Sequence, residues 1–200
     1  MNYQIDVNYF YRIYDTVHQM MEDRNFTPDK KKLTNEKYSS KVIGYLTESP
    51  YEFMDKLSLK FTKESKLLVY FFILDIKINK KNIEDIYENM KKDSCDSLLL
   101  ILKEKITPKV ASIIGTFDSQ VFYHYELTFN PLKHVLMPKY TVLTNEEKEK
   151  LYSYYKLSSY KQLPGIYKNQ PVAKWFNLNE NDVLKIIRKN GEIYYRSVRV

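Results

Sequence analysis

One cysteine, Cys95, stands in 200 residues. The chain can therefore close no intramolecular disulfide and build no multi-cysteine zinc site, a usage that fits a reducing compartment. Glycines number four, at 44, 115, 165 and 191, each isolated, so no glycine-rich loop exists to cradle a nucleotide. The three histidines, His18, His124 and His134, lie on separate stretches with no Cys or second His at metal-ligand spacing. No serine elbow or comparable nucleophile motif is present. The longest apolar run, LLVYFFIL at 67 to 74, is far shorter than the roughly 20 residues a spanning helix needs. The opening MNYQIDVNYFYR carries an acid and lacks the basic-then-apolar layout of a signal peptide. These absences predict a soluble, intracellular protein with no catalytic residue, cofactor, metal or membrane contact and no small-molecule substrate.

What is present is ample apolar material and an uneven charge. A hydrophobic content of 44% supports one domain with a good core, or two smaller ones of roughly 70 to 130 residues. Of the formal charge of +7, residues 134 to 200 carry +6 from twelve Lys and Arg against six Asp and Glu, which leaves +1 for the rest. The asymmetry allows an acidic partner at the C-terminal part, although a charge density this modest also describes an ordinary solvated face.

Along the chain, Val7, Phe10, Tyr11, Ile13, Tyr14, Val17 and Met20/Met21 recur at helical spacing and predict a helix ending near Asp23. Thr27 and Pro28 read as the N-cap and first position of a second helix. KLSLKF at 56 to 61 alternates like a half-buried strand, and LLVYFFIL reads as a buried one. A helix over 79 to 92 and an apolar strand over 97 to 102 complete a βαβ unit, which favours parallel pairing. Thr107 and Pro108 start another helix, and VFYHYELTF at 121 to 129 reads as extended. Asn130 and Pro131 signal a turn and a domain edge. TNEE at 144 to 147 is a capping box opening a helix to about Tyr155. A short helix from Pro171 and two closing strands joined by Asn190-Gly191, read as a type I′ turn, finish the chain.

Two stretches carry candidate chemistry. Asp75 and Lys77 follow a strand in the acid-x-Lys arrangement that Mg²⁺-dependent nucleases of restriction-endonuclease-like type use. The second carboxylate would come from Asp55 or Glu64, and neither has a context that aims it at Asp75. In KITPKV, at 105 to 110, the helix start at Thr107 and Pro108 with Lys105 and Lys109 beside it could hold a phosphate. Thr-Pro is also simply an efficient way to begin a helix.

Four later motifs, HVLMPKYTVLTNEE, YKLSSYKQLPGI, QPVAKWFNL and DVLKIIR followed by YYR, closely resemble the assembly domain of a shared RNA polymerase subunit. The family is the fifth-largest subunit of eukaryotic nuclear RNA polymerases, whose archaeal counterpart is called RpoH. Residues 1 to 130 resemble more weakly the eukaryotic jaw domain, which the archaeal counterpart lacks, so the resemblance points to a eukaryote or a large DNA virus. It implies an α/β N-terminal jaw domain (1–130) and a small α+β C-terminal assembly domain with a mixed sheet (131–200). The protein would be a noncatalytic subunit of DNA-directed RNA polymerase, docked on the largest subunit among other polymerase subunits, with its jaw along downstream duplex DNA. It would sit in the nucleus of a cell, or in the cytoplasmic factory and virion of a virus.

Carried over by motif, His134, Pro138, Leu163, Pro164, Ile166, Pro171, Val172, Ala173, Arg188, Tyr195 and Arg196 fall on the assembly surface, and Thr107, Pro108 and Lys109 on the DNA-facing tip. Departures from the family pattern include Gly165 at a usually basic position and Gln170 where Asp would cap the next helix. Asn177 and Asn181 stand where Gly is usual, and Asn best tolerates the left-handed backbone. Lys109 and Val110 replace small residues at the tip.

Overall fold

The computed structural model describes residues 6–46, 57–71 and 80–200, which fall into two compact units, Met1–Phe129 and Asn130–Val200. The first unit opens with helix α1 (Val7–Asp23), whose N-cap Asp6 accepts from the Tyr9 amide. Phe10, Ile13, Tyr14, Val17, Met20 and Met21 make one buried stripe along it. It ends in a left-handed residue, Asn25 (φ 62°). The Phe26 amide donates to the Met21 carbonyl and that of Asn25 to Glu22, the pattern of a Schellman stop.

Thr27 and Pro28 do not start a helix. They form the edge strand β1 (Thr27–Pro28), paired antiparallel with Thr62 and Phe61, while helix α2 (Asn35–Leu46) begins seven residues later. The Thr27 hydroxyl, read as a cap, instead donates to the Thr62 carbonyl at 2.9 Å. An outermost strand is where proline's missing N–H costs least. Strand β2 (Leu59–Thr62) covers only the later part of the alternating KLSLKF stretch and pairs antiparallel with β3 (Lys66–Phe71). Helix α3 (Lys80–Lys92) leads to β4 (Ser97–Leu102), which lies parallel to β3, as the βαβ reading requires.

After helix α4 (Pro108–Ile114), β5 (Ser119–Tyr123) joins parallel to β4 and completes a mixed sheet in the order β1-β2-β3-β4-β5. The extended stretch expected to run to 129 stops at Tyr123. There Glu126 accepts from the Tyr123 amide at 2.7 Å and bends the chain into a 3₁₀ turn, His124–Leu127. Leu68, Tyr70, Leu98, Leu100 and Leu102 pack with Ile83, Ile86 and Met90 of α3 and Val110 and Ile114 of α4. Leu67, Val69, Phe71, Leu99 and Ile101 point the other way along the same strands and are equally buried. On that side His18 of α1 meets Phe61 edge to face at 5.2 Å.

The second unit carries four strands, β6 (Lys139–Val142), β7 (Gly165–Tyr167), β8 (Val183–Ile187) and β9 (Ile193–Arg199), in the order β6-β8-β9-β7. Only β7 and β9 run parallel, so this sheet is mixed as expected. Helix α5 (Asn145–Tyr154) opens on a closed capping box: the Thr144 amide donates to Glu147 at 2.8 Å and the Glu147 amide to the Thr144 hydroxyl at 3.3 Å. Helix α6 (Pro171–Trp175) has Gln170 at its N-cap with no side-chain hydrogen bond, as the loss of Asp there foretells. Asn177 (φ 51°) and Asn181 (φ 72°) are both left-handed.

The β8–β9 turn is one residue longer than a type I′ hairpin. Arg188 pairs with Glu192 (2.9 Å) and the Gly191 amide closes back on the Arg188 carbonyl (2.9 Å), leaving Lys189, Asn190 and Gly191 as a three-residue loop. Gly191 is left-handed (φ 85°) while Asn190 is not, the arrangement of a tight turn followed by a glycine bulge.

Candidate functional site

In an antiparallel sheet, residues opposite one another share a face. The register places Tyr140, Ile186 and Tyr194 in one row across β6, β8 and β9, with Leu184 and Arg196 as the neighbouring pair. At one end of this face Ile166, Leu184, Ile186 and Val198 pack against Val172 and Ala173 of α6 and Leu178 beyond it. α6 is five residues long and cannot span the sheet, so the face stays open beyond it.

The open end is a hollow of about 440 Å³. It is lined by Ile166, Ile186 and Val172, by Tyr140 and Tyr194, and by Pro138, Pro164 and Pro171. Two guanidinium groups reach it. Arg188 lies over the Tyr194 ring, 4.1 Å from its centroid, and donates to the Tyr194 hydroxyl at 3.3 Å. Arg196 donates to the Gly165 carbonyl at 3.1 Å and so ties the β7 edge to β9.

Glu192 holds two of the lining residues: it accepts from the Tyr194 hydroxyl at 2.8 Å and pairs with Arg188 at 3.6 Å. Its carboxyl is held below the usual range by hydrogen bonds at Asn190 and Tyr194 and by the Arg188 charge. The same hydrogen bond, with some desolvation, raises the Tyr194 phenol. Burial raises Tyr140, against the pull of Arg196. The phenols therefore stay neutral at pH 7, and the fixed cations are the arginines.

Eight of the eleven residues carried over to an assembly surface meet at this hollow: Pro138, Pro164, Ile166, Pro171, Val172, Arg188, Tyr195 and Arg196. Tyr195 only borders it, since its ring packs with Leu143, Leu151 and Val183 on the opposite face of the sheet. Leu163 belongs to that opposite cluster as well. Ala173 is fully buried on the side of α6 that packs against the sheet, where its small side chain lets the helix approach closely. His134 is exposed outside the hollow, and its Nδ1 accepts from the Leu136 amide at 3.2 Å.

Met137, Tyr140, Ile186 and Tyr194 line the hollow without having been singled out. Strand alternation is the signal that finds them: once Arg188 and Arg196 are placed on one face, Ile186 and Tyr194 follow two residues away. Gly165 also acquires a role. A side chain there would meet the Arg199 guanidinium within 2.7 Å, and Arg199 donates over that glycine to the carbonyls of Lys161 and Leu163 at 3.1 and 3.0 Å.

At the tip of the first unit, Thr107, Pro108 and Lys109 are exposed, as is Lys105. Thr107 caps α4 by accepting from the Val110 amide at 3.4 Å. With that amide engaged and Pro108 lacking one, little of the helix end is left to bind a phosphate through backbone donors. Lys105 and Lys109 are the groups that could. Asp75, Lys77 and Asp55 lie outside the described residues, and Glu64 is exposed in the turn between β2 and β3. Among the described residues no three acids, histidines or cysteines gather as a metal site.

The family model for the RNA polymerase Rpb5 C-terminal domain matches residues 129–198, which hold the whole hollow. The chain is 29% identical over 202 residues to the DNA-directed RNA polymerases I, II and III subunit RPABC1 of Caenorhabditis elegans, covering 92% of this chain and 91% of the relative. The corresponding subunit of Dictyostelium discoideum is 28% identical with the same coverage. Subunit 5B of RNA polymerases IV and V from Arabidopsis thaliana is 30% identical over 115 residues, 54% of this chain and 52% of its own. Residues 129–198 thus match the Rpb5 C-terminal domain, and about nine-tenths of the chain is similar to shared subunits of eukaryotic RNA polymerases.

Proposed function

We propose that the protein is a noncatalytic subunit of a multisubunit DNA-directed RNA polymerase, with residues 131–200 as its assembly domain and residues 1–130 as a jaw. The observation that carries the reading is the continuity of the likeness: it covers about nine-tenths of this chain and of its eukaryotic relatives, and its best-matched part builds the open sheet face. The likeness to eukaryotic polymerase subunits supports a nuclear setting for such a subunit.

The chemistry of the hollow names the kind of partner. Tyrosine, isoleucine and proline surfaces fit an apolar segment, and Arg188 and Arg196 at its edge fit a carboxylate on the same segment. The occupant is taken to be the largest polymerase subunit. The exposed Thr107, Pro108 and Lys109 tip would lie along downstream duplex and meet it through phosphate, chiefly by Lys109 with Lys105 beside it. Such contact is independent of sequence and weakens with salt.

The test is purification of the full chain from its own cell with mass spectrometry of what accompanies it. Recovery of the two largest polymerase subunits in stoichiometric amount is expected, and a preparation without them overturns the reading. Within that complex, Lys109→Glu should leave the subunit composition unchanged and lower crosslinking to downstream duplex at low salt. Equal crosslinking by both forms would remove the DNA-facing role.

A further inference from the structure

Strand β6 is an outer strand of the second sheet: β8 pairs with one of its edges, and no strand takes the other. In an antiparallel pair, residues alternate between those that exchange backbone hydrogen bonds with the partner and those whose N–H and C=O point away from it. The Leu143 amide donates to the Val183 carbonyl at 2.9 Å, which fixes the phase. With Val142 opposite Leu184 and Tyr140 opposite Ile186, the backbone of Lys139 and Thr141 faces β8, and that of Tyr140 and Val142 points to the open edge. These outward amides and carbonyls have no hydrogen-bond partner among the described residues.

The side chains of the same two residues belong to the docking face. Tyr140 lines the hollow, and both Tyr140 and Val142 pack half-buried against the cluster beneath it. A strand laid along β6 would therefore bond to Tyr140 and Val142 and turn every second side chain onto the hollow's face, where it extends the row of Tyr140, Ile186 and Tyr194. The edge is also short. Pro138 stands directly before β6 and the exposed Lys139 opens it, features that discourage indiscriminate strand pairing. So few backbone bonds would hold a second copy weakly, but they add to the grip on a segment that the hollow already holds.

We propose that the partner segment docked at the hollow binds as an extended strand added to β6, its backbone bonded to Tyr140 and Val142 and its alternate, apolar side chains on the hollow's face. The inference rests on the docking reading above and adds to it the conformation of the segment and its backbone contacts. Backbone bonds are blind to side chains, so the edge supplies grip and the hollow supplies selection.

Hydrogen exchange of the full chain reads the edge directly. In the isolated chain the Tyr140 and Val142 amides should exchange freely, while that of Leu143, bonded to β8, is protected. In the recovered polymerase complex, residue-resolved exchange at Tyr140 and Val142 should slow by at least about tenfold. Val142→Pro removes the outward N–H and leaves the bonds to β8 in place; a Leu143 amide that stays protected verifies the fold. Recovery of the largest polymerase subunits with Val142→Pro should fall about fivefold below that with Val142→Ala, which keeps the amide, as for loss of one hydrogen bond. Exchange at Tyr140 and Val142 as fast in the complex as in the isolated chain, or equal recovery with the two variants, overturns the strand addition and leaves docking at the hollow standing. Slow exchange of both amides in the isolated chain at high concentration, with dimers in sedimentation, assigns the edge to a second copy and overturns it too. Failure of the unaltered chain to recover any polymerase subunit overturns the docking reading and this inference together.

Discussion

The two sheets of this protein handle their faces differently. In the first unit β3 and β4 have almost no exposed position, because helices cover one face and α1 with its neighbours the other. In the second, β8 and β9 are buried at one end and open at the other, where Ile193 and Tyr194 are 50% and 40% exposed. Continuous apolar strands make a sheet that is finished within its own unit. A strand that keeps Ile193 and Tyr194 exposed, with one five-residue helix to cover the face, leaves an apolar surface that the proposed docking would cover. The contrast separates residues that set stability from those that the proposed docking would use.

The sharpest way to break the comparison is at its centre. Leu100→Ala, at a fully buried position of β4, should cost about 2–5 kcal/mol in denaturant unfolding, because neighbouring strands and helices hold the cavity open. A loss under 1 kcal/mol would mean that this sheet is not the stabilising one.

Acid should expose the same unit next. His18 has a folded-state pKa of about 4 against an ordinary 6.5. As pH falls from 6.5 towards 4 the unfolded chain takes up a proton that folded His18 refuses. The folded state therefore loses stability as pH falls through that window, by on the order of 2 kcal/mol. His18→Gln should flatten this part of the stability–pH curve, and two superimposable curves would show that the imidazole stays solvated.

The second unit should respond in the opposite sense. Arg188→Ala removes an exposed side chain that stacks on Tyr194, so stability should move by no more than about 0.5 kcal/mol. Recovery of the largest polymerase subunits with the variant should fall about tenfold, as for loss of a charged contact at an interface. Undiminished recovery, judged by quantitative mass spectrometry, would detach the hollow from assembly.

The smallest effect concerns helix ends. With only four glycines in the chain, Asn25, Ser94, Lys156 and Asn177 take the left-handed positions that close α1, α3, α5 and α6. Lysine is the least suited of these. Lys156→Gly should raise stability by about 0.5–1 kcal/mol, seen as a higher midpoint in thermal unfolding; a decrease would mean that the lysine side chain contributes more than its backbone strain costs.

These contrasts also show what could be read before the fold was known. Periodicity finds α1 and α3 because each is long and buries a regular stripe, and a short continuous apolar run finds β4. The capping box at Thr144 and the left-handed Asn177 and Asn181 are legible because local chemistry alone decides them. Thr27-Pro28 misleads: the same pair suits a helix start and an edge strand, and its pairing with Phe61 and Thr62 is set more than thirty residues away. The turn at Asn190-Gly191 misleads by one residue because strand register fixes loop length, and register is a property of two strands together. The hollow is legible in part. Its prolines and arginines stand out as motif residues, while Tyr140, Ile186 and Tyr194 emerge only when three strands are laid side by side.

The open end of the second sheet has a consequence for supply. A copy without its partner shows water a row of tyrosine and isoleucine flanked by proline, a surface that invites adventitious contacts. Under the proposed docking, excess copies would be a burden on the cell rather than a reserve, and production matched to that of the partner would avoid it. The open face would then link the amount of the protein to the amount of the enzyme it joins.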